Sequence, residues 1–238
     1  MKAMILAAGR GERMRPLTDD CPKPLLQVGG RSLLAWHLTA LARAGIRDIV
    51  INHAWLGERI VEALGDGARY GVRIRYSAER EAALETAGGI IQALPWLGSE
   101  PFLVVNGDIW TDFDYSRLPT LDEQALGALV LVPNPPQHPR GDVALIPRPD
   151  HRFDVLADPD RLAAADAPPR HTFSGIALYR PEFFAGRSPG RQPLLPLLRD
   201  VAARGRLRGQ LYQGLWFDIG TPERLRELDE RLAGGATG

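Results

Sequence analysis

Between residues 7 and 25 the chain gathers side chains suited to holding a polyphosphate. Ala7-Ala8-Gly9-Arg10-Gly11-Glu12-Arg13-Met14-Arg15 is followed by Pro22-Lys23-Pro24. Glycines leave backbone N–H groups unshielded, and a turn built on them can point those groups at phosphate oxygens. Arg13 and Arg15 carry planar two-pronged guanidinium groups, whereas Lys23 is a compact point charge. Free amides around Ala8, Gly9 and Gly11, with three cations nearby, suit a triphosphate. Two common alternatives fail on particular residues. A dinucleotide fingerprint needs a third glycine where this chain has Met14, and the Gly-Lys-Ser/Thr of a P-loop does not occur. A solvated basic surface loop is the plain alternative on these residues alone.

Two acidic residues stand at a distance in sequence but in like surroundings. Asp108 follows the run Phe102-Leu103-Val104-Val105-Asn106-Gly107, and Asp218 follows Leu215-Trp216-Phe217. Each falls where a strand should end. Two carboxylates at such ends can hold an octahedral Mg²⁺ that also takes phosphate oxygens. In isolation, either would read as a strand-end cap. His37 on an apolar helical face and His53 after a strand read as packing or capping residues, and Trp36, Trp55 and Trp96 as core packing.

These residues need elements that deliver them to one place. Residues 2–7 form a short apolar run ending at the glycines, a candidate buried strand. Leu33, Leu34, Leu38 and Leu41 then recur at helical spacing behind Ser32, a good N-cap. Residues 48–52 are strand-like, 56–64 helical, 72–77 strand-like and 88–94 helical, and 101–110 closes the series as one strand. This alternation predicts βαβ units and an α/β fold, with a parallel sheet covered on both faces. After residue 125 strand-like stretches dominate, including 143–146 and residues 209–220 read as one run; helices are expected at 193–203 and 222–232. Antiparallel additions to the same sheet follow, forming a lobe on the C-terminal half of one continuous domain. Nine prolines in residues 133–170 mark irregular loops there.

Composition bounds the partners. The 238 residues are 45% hydrophobic and 24% charged, with 29 basic against 29 acidic side chains. A zero formal charge argues against a nucleic-acid partner held by bulk electrostatics. The single cysteine, Cys21, excludes an intramolecular disulfide framework and a cysteine zinc cluster and fits a reducing cytosol. With no apolar stretch near the roughly 18 residues of a membrane span, the chain reads as a soluble cytoplasmic protein without a membrane or obligate protein partner.

The pattern Gly9-x-Gly11-x-Arg13-Met14-x-Pro16-Leu17-Thr18, then Pro22-Lys23-Pro24-Leu25, resembles the signature of the sugar-1-phosphate nucleotidyltransferases. Leu84-Glu85-Thr86-Ala87-Gly88-Gly89 is similar to that family's base-side loop, Asn106-Gly107-Asp108 to its metal site, and Trp216-Phe217-Asp218-Ile219-Gly220-Thr221-Pro222 to its second acidic motif. The resemblance covers about residues 1–235. Within the family, residues 51–57, Glu85, Trp110-Thr111-Asp112 and Thr172-Phe173-Ser174-Gly175 look most like the N-acetylmuramate-1-phosphate uridylyltransferases of cell-wall recycling.

The resemblance implies a mostly parallel, Rossmann-like (glycosyltransferase-A-like) mixed sheet flanked by helices, in a single domain spanning 1–238. About residues 1–125 would hold the nucleotide and about 126–238 the sugar. The implied reaction is Mg²⁺-dependent transfer of a uridylyl group from UTP to a sugar-1-phosphate. Lys23 would meet the α-phosphate and Arg13 the leaving phosphates, with Asp108 and Asp218 on Mg²⁺. Ala8, Gly9, Gly11, Ser77, Glu79 and Gly88 would face the nucleotide, and Glu85, Asn106, Asp142, Ser174 and Gly175 the sugar. Cys21, two residues before Lys23, would carry a thiol whose alkylation blocks the triphosphate. A guanylyl- or thymidylyltransferase acting on mannose- or glucose-1-phosphate stays open, as does a non-catalytic nucleotide-sugar sensor.

Overall fold

The computed structural model describes residues 1–79, 84–149, 152–157 and 168–234. In chain order the first elements are β1 (Lys2–Leu6), β2 (Gln27–Val28), β3 (Arg31–Ser32), α1 (Leu33–Arg43), β4 (Asp48–His53), α2 (Gly57–Leu64), β5 (Arg73–Ala78), α3 (Glu85–Leu97), β6 (Phe102–Asn106) and β7 (Ile109–Thr111). There follow β8 (Gly127–Val132), β9 (Val143–Pro147), β10 (Phe153–Leu156), β11 (Arg170–Tyr179), α4 (Leu194–Ala203), β12 (Leu207–Leu211), β13 (Trp216–Asp218) and α5 (Pro222–Gly234).

Nine strands form one sheet in the order β5-β4-β1-β6-β11-β8-β12-β10-β9. The first four are parallel and β11 runs antiparallel to both β6 and β8. The expected mixed sheet is therefore present, and its C-terminal part is a continuation of the same sheet. That part curls, because β9 pairs with β11 as well as with β10.

The central strands read as continuous apolar runs because both faces are covered. Met4, Val50, Phe102 and Val104 face a core with α3 and α4, while Ala3, Ile5, Ile49, Ile51, Leu103 and Val105 face a second core with α1. Ser32 caps α1 as its type predicts, its hydroxyl accepting from Ala35 N at 3.2 Å. A third apolar cluster joins Met14, Leu26, Val28, Trp110, Ile219 and Leu228, so α5 packs under the glycine-rich loop.

Two expected strands are each broken in two. The 101–110 run splits at Gly107-Asp108, just past the last bond of the β1–β6 ladder, from Gly107 N to Leu6 O at 2.8 Å. The 209–220 run splits likewise, and its second part, β13, pairs with β7 in a separate two-stranded ribbon. Within the proline-rich region β9 falls on the strand-like run 143–146, while β10, in a stretch read as irregular loop, adds ladder pairs despite only four residues. Helix α3 starts three residues before the expected 88 and runs to Leu97 with Pro95 in its last turn.

Candidate active site

Strand order reverses direction at β1, which has β4 on one side and β6 on the other. At such a switch point the loops leave the strand ends in opposite directions and open a crevice. Leu6, Asn52 and Asn106 are in register at the three carboxyl ends. A cavity of about 480 Å³ opens above them, lined by Ala8, Gly9, Gly11, Glu12, Arg13, Lys23, Asn52, Glu79, Glu85, Thr86, Asn106, Asp108 and Gly220 among others. Residues from the glycine-rich loop, β4, α3 and β6 thus meet at one place.

The glycine-rich loop is held from several sides. The Asn52 carboxamide accepts from Ala7 N at 2.8 Å and donates to Glu79 Oε1 at 2.7 Å, so one buried side chain joins the loop to the β5 end. Glu79 also accepts from Leu84 N at 2.8 Å. Trp55, expected in core packing, instead lies half-buried with the Arg10 guanidinium 4.3 Å from its ring and its Nε1 donating to Thr18 O at 3.1 Å. It clamps the loop's two arms together.

Lys23 is buried, 8% exposed, and its Nζ lies 2.5 Å from Asp108 Oδ2. Arg13 is exposed at the cavity wall. Arg15 does not join it: its Nε pairs with Asp19 Oδ1 at 2.6 Å, and it is not among the lining residues. Asp108 and Asp218 are brought together by the β7–β13 ribbon, in which Ile219 N donates to Asp108 O at 2.9 Å. Asp218 Oδ2 pairs with Arg224, and its Oδ1 accepts from Gln137 at 2.6 Å. The Asp108 Oδ1 atom keeps no protein partner among the described residues. Asp108 thus keeps one hard oxygen donor free for a divalent cation that takes other ligands from a substrate, whereas both Asp218 oxygens are engaged and Asp218 is not among the cavity-lining residues.

Several expected contacts lie elsewhere. Ser77 is fully buried and its hydroxyl accepts from Gln92 at 3.0 Å, beneath the cavity floor. Gly88 turns away from the cavity: a Cβ there would come 2.2 Å from Gly190 O, so its lack of a side chain serves the packing of α3 on residues 190–192. Ser174 is also buried, donating to Val130 O at 2.7 Å and accepting from Ile176 N within the β11 bulge. Gly175 in that bulge has φ +81° and lies against the Asn106 side chain, where a Cβ would approach to 2.7 Å. Asp142 accepts from Phe173 N at 2.8 Å and pairs with His138, which anchors the β8–β9 loop rather than lining the cavity. Cys21 opens on a different cavity with Leu25, Gln27 and Arg31, so alkylation there would not obstruct the phosphate loop directly. Burial raises its thiol pKa.

His37 is wholly buried beside Tyr115, and burial pushes its pKa down to about 4. It is a packing residue, as its apolar helical face predicts. Asn52, Thr86, Gln137, Arg191 and Arg224 were not legible as site residues. Arg224 carried one signal: a cation in the first turn of α5 opposes the helix dipole and so calls for a carboxylate partner.

Residues 2–140 match the family described as Nucleotidyl transferase. The chain belongs to this family. It is 52% identical over 239 residues to the N-acetylmuramate alpha-1-phosphate uridylyltransferase of Neisseria meningitidis serogroup B, covering 98% of this chain and 99% of that one. Identity to the enzyme of the same name from Caulobacter vibrioides is 34%, covering 97% and 96%. A solved structure of a Bacillus anthracis protein, described as a glucose-1-phosphate thymidylyltransferase in complex with sucrose, superposes with a TM-score of 0.80 at 23% identity, covering 98% and 95%. The fold is thus that of a nucleotidyltransferase, and the chain is an enzyme of that class.

Proposed function

We propose that this nucleotidyl transferase moves a uridylyl group from UTP to N-acetylmuramate-1-phosphate, releasing pyrophosphate and forming UDP-N-acetylmuramate. The observation that carries this reading is the 52% identity to a relative of that name over nearly the full length of both chains. We further propose a cytoplasmic role in cell-wall recycling, with the nucleotide on the first half of the single domain and the sugar on the second. No described helix is long and apolar enough to cross a membrane.

The acceptor's phosphate oxygen is already anionic near neutral pH, so the reaction needs no general base. Its difficulty is repulsion from the triphosphate. Two unit charges about 4 Å apart repel by roughly 4 kcal/mol at an effective dielectric near 20. Lys23 is suited to offset charge at the α-phosphate as the new bond forms, and Arg13 to hold the leaving phosphates. Backbone amides around Ala8, Gly9 and Gly11 orient the polyphosphate, with Asn52 and Glu79 fixing the floor beneath the base. Asp108 and Asp218 are the residues to hold Mg²⁺, which when bound would screen the α-phosphate. Among the described residues no group of three or more His, Cys, Asp and Glu could hold a metal, so substrate oxygens and water must complete the shell. In-line displacement with inversion at phosphorus follows.

A pyrophosphate-release assay with Mg²⁺ tests the reading by crossing four nucleoside triphosphates with the 1-phosphates of N-acetylmuramate, N-acetylglucosamine, mannose and glucose. UTP with N-acetylmuramate-1-phosphate is expected to give the highest kcat/KM. If another pair is preferred, the substrate assignment is wrong while the reaction class stands.

A further inference from the structure

The cavity's rim holds a strained residue whose charge is engaged by a neighbour. Glu85 begins α3 at φ +58°, a left-handed conformation that glycine adopts freely and other residues avoid. Its side chain lines the cavity, and its Oε1 lies 2.6 Å from Arg191 Nη2. Arg191 is set by a fixed backbone. Gln192 O accepts from Ala87 N at 3.0 Å and Gly88 N at 3.1 Å, and Gln192 N donates to Leu84 O at 2.9 Å. The residue next to Arg191 therefore caps the first turn of α3, while the Arg191 side chain stays 72% exposed. Among the described residues only Nη2 is engaged, which leaves Nη1 to donate to a second acceptor. A planar group with five donors can bridge two carboxylates. Of the other described arginines nearby, Arg224 pairs with Asp218, Arg10 lies on the Trp55 ring and Arg13 lines the cavity beside the glycine-rich loop.

We propose that Arg191, held at the rim by Glu85, binds a carboxylate on the acceptor sugar and so selects an anionic sugar-1-phosphate over its neutral counterpart. This inference rests on the functional reading above. N-acetylmuramate differs from N-acetylglucosamine by a lactyl ether whose carboxylate is ionised at neutral pH. With its phosphate directed toward Lys23, such an acceptor brings a second anion to a cavity that already carries Glu79 and Glu85. Without a cation on the rim, that charge would be repelled. The ion pair keeps Arg191 in place before the acceptor arrives, and this preorganisation accounts for a glutamate at a position whose backbone favours glycine.

The test compares two acceptors that differ only in the lactyl group, N-acetylmuramate-1-phosphate and N-acetylglucosamine-1-phosphate, with saturating UTP and the full-length protein. The reading is the ratio of their kcat/KM values. Arg191→Gln is expected to lower that ratio at least about tenfold, mainly through KM for the carboxylate acceptor. Arg191→Lys should recover part of it. Glu85→Gln, which leaves the cation without its anchor, should lower the ratio less than Arg191→Gln does. A ratio unchanged in Arg191→Gln, or an equal loss on both acceptors at an unchanged melting temperature, overturns the inference and leaves the uridylyltransferase reading intact. A wild-type enzyme indifferent to the lactyl carboxylate overturns the acceptor assignment itself.

Discussion

Lys23 shows what the sequence could and could not say about a single residue. Its type and its place in a proline-flanked loop marked it as a phosphate cation, but not its 8% exposure or its contact with Asp108. Arg13 and Arg15 looked equivalent in sequence, and the structure separates them because Asp19 takes one and the cavity the other. Such pairing depends on how an irregular loop turns, which residue types do not encode. Lys23→Ala is expected to lower kcat by at least about 10²-fold, the size seen when a group stabilising transition-state charge is removed. Asp108→Asn should cost a similar factor. Since the two side chains touch, the double variant should lose much less than the product of the single losses. Single-turnover rates measured with saturating UTP and acceptor decide this, and near-native turnover in either single variant refutes the assigned roles.

At the scale of elements, the alternation of strands and helices was legible because apolar periodicity follows directly from burial on two faces. The breaks after Asn106 and Leu211 were not. They arise where chain segments leave the large sheet to form the β7–β13 ribbon, a choice made by long-range pairing. Those breaks bring Asp108 and Asp218 together, so the hidden part of the fold is the part that builds the site. Helix α3 gives a similar lesson. Its first turn is satisfied by Gln192 O, about a hundred residues on, in place of a local cap. That contact needs Gly88, where a Cβ would lie 2.2 Å from Gly190 O and 3.1 Å from Gln192 N, both main-chain atoms. Gly88→Ala should gain helix propensity, worth about 1 kcal/mol at most. The clash must then push α3 off its neighbour, so the net expectation is destabilisation by about 1–3 kcal/mol, the range for overpacking. Urea unfolding measures it, and a variant as stable as the parent would show that the two segments are not locked.

For the molecule as a whole, a zero formal charge at pH 7 implies little self-repulsion, so stability there is not limited by net charge. Acid changes this through specific groups first. The His37 imidazole is buried and its pKa falls to about 4, against about 6.5 for an exposed histidine. The unfolded chain therefore binds a proton at higher pH than the folded one. Its stabilising contribution is fully present above about pH 6.5, declines as pH falls, and is gone below about pH 4. A difference of that size corresponds to up to about 3 kcal/mol. Burial lowers His53 and His171 in the same direction, but both are only partly covered. Further down, the Arg208 hydrogen bond holds Asp122 down to about 2, so its contribution is present above the usual carboxylate range near 4 and is lost as pH falls toward 2. Urea midpoints at constant m-value should fall steeply between pH 6.5 and 4, and His37→Gln should flatten most of that slope whatever it does to stability at pH 7. Added salt separates the causes, since repulsion among growing positive charges is screened whereas the desolvation that keeps the buried imidazole neutral is not. An unchanged slope in His37→Gln would assign the acid sensitivity to the surface charges instead.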